Sequence, residues 1–175
     1  MTNKAVFCIA NSEAQATRIV EDARTAGFSG NDISVLFPDK EGTHDFAHEQ
    51  HTKAPEGAAA GAGTGGLVGG GLGWLVGIGA LAIPGVGPFI AAGPIMAALA
   101  GAAVGAAAGG LTGALVGLGI PEYEAKQYEG KILKGNILIS VHTETSDEVD
   151  RAKEILKREG AEDISYTGEA SVKAA

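Results

Sequence analysis

Three of the four histidines stand within one short polar stretch, Thr43-His44-Asp45-Phe46-Ala47-His48-Glu49-Gln50-His51. On a helix His44, His48 and His51 fall at i, i+4 and i+7 and share a face. Three imidazoles could then converge on a zinc or copper ion. The competing reading is a polar connector, because the stretch holds no cysteine and fixes no carboxylate behind the rings. The single cysteine, Cys8, lies in the apolar run Ala5-Val-Phe-Cys-Ile-Ala10, where a thiol reads as a buried packing group rather than a nucleophile. His142 ends a second apolar run beside Thr143 and Glu144, with no serine or cysteine nucleophile in a recognisable motif. Gly69, Gly70, Gly71 and Gly73 do not form a phosphate loop, since no Lys-Ser/Thr follows to hold phosphate and magnesium. No catalytic residue is assigned, and the reading is of a protein that is not an enzyme.

The elements around these residues are organised by an uncharged middle. From Gly57 to Pro121 there is no charged side chain. Glycine recurs there at a fixed step: Gly57, Gly61, Gly65, Gly69, Gly73 and Gly77, then Gly93, Gly101, Gly105, Gly109, Gly113 and Gly117, with Ala97 filling the gap. Residues four apart lie nearly above one another on a helix, so each series draws a ridge without side chains along which a second backbone can approach closely. Ile83-Pro-Gly-Val-Gly-Pro88 separates the two series and would interrupt a helix. The pattern predicts a helical hairpin with two arms of about 27 residues, about 40 Å long at about 1.5 Å per residue. A bilayer core needs only about 20 residues. Glycine inside an aqueous helix costs about 0.8–1 kcal/mol against Ala, so the arms require either lipid or enclosure by protein. Insertion in the membrane is the leading expectation, and a hairpin buried within a soluble homo-oligomer is the alternative.

The chain ends read as two matching halves. Ala5 to Ala10 is a strand, Ser12 and Gln15 have capping-box spacing, and Ala16, Ile19, Val20 and Ala23 recur at helical spacing before Gly27. Ile33 to Phe37 is a second strand. Later, Asn136 to His142 is a strand, Ser146 an N-cap, and Val149, Ala152, Ile155 and Leu156 an apolar helix face closed by Gly160. Asp163 to Tyr166 is the last strand. Two such βαβ halves predict an α+β fold, a ferredoxin-like βαββαβ sandwich with two helices on one face of a four-stranded sheet. The glycine-rich hairpin is then inserted between strands 2 and 3. The expected divisions are 1–40 (first half), 41–56 (histidine connector), 57–120 (hairpin), 121–131 (short charged helix), 132–168 (second half) and 169–175 (tail). Tyr123 and Tyr128 on the charged helix face either a lipid headgroup boundary or the sheet.

Charge and composition narrow the partners. A net charge of −8 repels phosphate backbones, and 5% aromatic content argues against a base-stacking platform. Nucleic acid is therefore not expected. One cysteine fits a reducing compartment, and Met1-Thr-Asn-Lys-Ala5 runs into a strand without a signal peptide's apolar core. The expected location is the cytoplasmic membrane with the sheet domain facing the cytoplasm, or the cytoplasm alone for the soluble alternative.

Several blocks carry a family resemblance: Lys53-Ala-Pro-Glu-Gly57, Gly119-Ile-Pro-Glu-Tyr-Glu-Ala125, Ile139-Ser-Val-His142, Arg151-Ala-Lys-Glu-Ile-Leu156, Gly160-Ala-Glu-Asp-Ile164 and Gly168-Glu-Ala170. Together with the glycine-stepped middle, they make the chain similar to the bacterial general stress protein 17M-like family, over nearly its whole length. The resemblance implies a stress-induced bacterial protein with an N-terminal βαβ unit and an apolar glycine-rich hairpin. It implies no activity and no cofactor. The resulting expectation is a non-enzymatic stress protein that self-associates through the hairpin. A weaker alternative is a metal or small-molecule sensor.

Overall fold

The computed structural model describes residues 4–38, 79–83, 87–93 and 110–168. The first strand, β1 (Lys4–Ala10), leads into α1 (Glu13–Thr25) and β2 (Ile33–Pro38). A ribbon of two strands follows, β3 (Gly79–Ile83) and β4 (Gly87–Ala92), then two helices, α2 (Gly110–Gly117) and α3 (Glu122–Leu133). The chain returns through β5 (Ile137–Thr143), α4 (Ser146–Arg158) and β6 (Glu162–Gly168). The strands form one six-stranded sheet in the order β3-β4-β2-β5-β1-β6, and every neighbouring pair is antiparallel.

Two apolar clusters explain why the central strands read as continuous hydrophobic runs. Successive strand side chains point to opposite faces, so a strand covered on both sides needs no polar alternation. On one face Val6, Cys8 and Ala10 of β1 pack with Ile137, Ile139 and Val141 of β5 beneath α1 and α4. On the other, Ala5, Phe7 and Ile9 of β1 and Leu138 of β5 pack beneath α2 and α3. The sheet is therefore the middle of three layers. The expectation of helices on one face is met for α1 and α4, but α2 and α3 cover the opposite face.

The helical-hairpin expectation is corrected over part of its length. Residues 79–83 and 87–92 are strands, paired from Gly79↔Ala91 to Ile83↔Gly87, not helical arms. β4 then pairs with β2, from Val35↔Ala92 to Pro38↔Phe89. The physical reason lies on both sides of this contact. Pro84, Gly85, Gly87 and Pro88 all disfavour a helix. The far edge of β2 also offers unpaired backbone groups that a ribbon can satisfy. A four-stranded sheet is thereby replaced by one of six strands. The remaining arm residues, 57–78 and 94–109, lie outside the described residues, while 110–117 are helical as expected.

The caps follow the sequence closely. Ser12 Oγ accepts the Gln15 amide at 3.2 Å, and the Gln15 side chain accepts the Asn11 amide at 2.8 Å. Gly27 ends α1 with φ of 98°, a conformation glycine adopts without Cβ strain. At α4 the cap is Thr145 rather than Ser146, and Thr145 and Glu148 form a reciprocal capping box. The paired helices are also joined by polar contacts. Arg158 meets Asp22 at 2.7 Å, Arg18 meets Glu159 at 3.1 Å, and the Gln15 amide donates to the Glu159 carbonyl at 2.9 Å.

Candidate functional site

The described part of the uncharged segment that keeps the glycine step on a helix is α2. Leu111, Ala114 and Leu115 are buried against the sheet side, the i, i+3, i+4 spacing of a helix that packs on one face. Gly113 and Gly117 lie elsewhere on the cylinder. A Cβ placed on either would meet no heavy atom of the described residues within 4 Å. Val116 beside them is 42% exposed. The result is a smooth, uncharged surface without side chains at two positions four residues apart. The neighbouring helix α3 is fixed to α2 by a hydrogen bond from the Thr112 hydroxyl to the Glu129 carboxylate.

Gly93 departs from its expected role. It is not on a helix but in a bend after β4, with φ of 95°. A Cβ there would stand 2.3 Å from the Ile33 carbonyl oxygen and 2.5 Å from Ser34 Oγ. The close backbone approach expected of this glycine is present, but against strand β2. The reason is the ribbon: β4 must leave the sheet directly over β2, where only glycine fits. Gly57, Gly61, Gly65, Gly69, Gly73, Gly77, Ala97, Gly101, Gly105 and Gly109 lie outside the described residues. So do His44, His48 and His51. Among the described residues, no group of three or more His, Cys, Asp or Glu is placed to hold a metal ion. No helix among them is long and apolar enough to cross a membrane.

The titratable groups of the interior serve packing. Cys8 is fully buried, and burial pushes its thiol pKa well up, toward the protonated form. Tyr128 is buried in the layer beneath α3 rather than at a lipid boundary, and burial likewise raises its phenol. Its hydroxyl donates to the Asp163 carbonyl at 2.7 Å and lies 2.6 Å from Ser165 Oγ. Tyr123, by contrast, is 80% exposed. His142 is half-buried at the end of β5, and its backbone N–H donates to the Asp32 carbonyl at 2.6 Å.

Two arrangements were not legible in the sequence. Lys131 of α3 stands 2.5 Å from Glu162 and 2.7 Å from Asp163, tying the helix to β6. The hydrogen bonds to Asp163 and then to Glu162 raise the lysine pKa, and the contact with Lys131 lowers that of Glu162. Ser34 and Ser140 are register partners on β2 and β5, both fully buried. Among the described residues, the Ser140 hydroxyl has no hydrogen-bond partner. Isolated serines inside otherwise apolar strands are the one sequence signal that could have marked this pair.

Against family models, curated proteins and solved structures, the chain finds no match. The resemblance to the general stress protein 17M-like family therefore rests on the sequence blocks quoted above. Chemically, the described surface offers apolar contact along α2 and polar ties between elements. Its perturbed interior groups are a thiol and a phenol held toward their neutral forms.

Proposed function

We propose that this is a non-enzymatic bacterial stress protein that self-associates through its uncharged glycine-stepped segment, at the cytoplasmic membrane with the sheet domain on the cytoplasmic side. The observation that carries the reading is the open face of α2. A Cβ on Gly113 or Gly117 would meet no heavy atom of the described residues within 4 Å, and Val116 is exposed beside them. Such a face gains from a second backbone laid along it through dispersion and Cα–H···O contacts. The occupant proposed is the same segment of another copy. The sequence blocks shared with the stress-protein family support the cellular role, and the uncharged run from Gly57 to Pro121 supports contact with lipid.

The β1-α1-β2 and β5-α4-β6 units fit a ferredoxin-like core, since their four strands run β2-β5-β1-β6 within the sheet. The β3–β4 ribbon extends that core past β2. The ribbon also favours a second reading, in which the assembly is a soluble homo-oligomer, because it draws 79–83 and 87–92 into a protein sheet. Binding of zinc or copper by His44, His48 and His51 remains a separate proposal, tested by metal uptake in wild type and His48→Ala. Unchanged stoichiometry in the variant would remove it.

The deciding experiment measures assembly mass by light scattering for wild type, Gly113→Leu with Gly117→Leu, and Gly130→Leu. Gly130 lies on α3 and is equally uncrowded, which makes it the control for added bulk. The double variant should lose the higher-order species while keeping its far-UV circular dichroism, and Gly130→Leu should keep it. A monomeric wild type, or equal masses for all three proteins, would overturn the proposal.

A further inference from the structure

We draw no further inference here: the strongest candidate, the fully buried Ser140 hydroxyl on β5 with Ser34 as its register partner on β2, carries nothing because nothing in the structure shows what lies against it.

Discussion

Gly93 and Gly113 belong to the same uncharged segment, yet their substitution by alanine should move stability in opposite directions. At Gly93 the positive φ and a Cβ only 2.3 Å from the Ile33 carbonyl oxygen leave no strain-free position. Backbone strain of this kind costs about 1–3 kcal/mol, and the clash adds to it. At Gly113 the backbone is helical and no atom of the described residues crowds a Cβ, so alanine should stabilise by about 0.4–1 kcal/mol, largely by restricting the unfolded chain. Urea midpoints of the two variants test this, and a shift of the same sign in both would refute the geometry. Ser140 supplies a second prediction. A buried hydroxyl without a partner costs about 1–3 kcal/mol, so Ser140→Ala should leave the midpoint unchanged or raise it. A drop would mean that the hydroxyl is satisfied.

At the scale of elements, α4 shows how local chemistry sets a boundary. Thr145 Oγ1 accepts the Glu148 amide at 3.2 Å, and the Glu148 carboxylate accepts backbone N–H groups of Glu144 at 2.7 Å and Thr145 at 3.2 Å. Thr145→Ala should cost about 1 kcal/mol, read from thermal or urea unfolding. The same box is pH-sensitive. The backbone hydrogen bond from Glu144, then that from Thr145, holds the Glu148 pKa below its ordinary 4.5. Because the folded value is the lower one, the stabilisation is present above about pH 4.5 and is lost as pH falls through the folded pKa. Glu148→Gln retains an acceptor but cannot titrate, so its stability should fall less steeply between pH 5 and pH 3, roughly the range where carboxylates titrate. Parallel curves for variant and wild type would remove the assignment. The caps were readable because each depends on residues three or four apart. Placing the α4 cap at Ser146 rather than Thr145 misread two adjacent hydroxyls with equal claims. Glu148 decides between them, standing three residues after Thr145.

For the whole molecule, the membrane and soluble readings differ in what surrounds the uncharged segment. If the membrane reading holds, native protein should float with lipid vesicles, and phospholipid should co-purify in detergent. A discrete particle that stays in the supernatant without detergent and carries no lipid would favour the soluble assembly. In either case the sheet domain should retain its unfolding transition. Its two apolar clusters bury α1 and α4 on one side and α2 and α3 on the other.

The sequence by itself determined the strands and helices at both chain ends. Val6, Cys8 and Ala10 alternate with Ala5, Phe7 and Ile9 in one all-apolar run, which marks a buried strand but did not show that helices would cover its second face. It also placed Gly27 and Gly160 at helix ends, where the chain turns with φ of 98° and 72°. Only the tertiary structure decided that 79–83 and 87–92 pair as a ribbon, that α2 and α3 form the third layer, and that Tyr128 turns inward. Short apolar runs such as Gly79-Ala-Leu-Ala-Ile83 carry no period that separates strand from helix. Their conformation is set by what can accept their backbone hydrogen bonds: β3 pairs with β4, and β4 with the edge of β2, whose strand lies more than forty residues earlier in the chain.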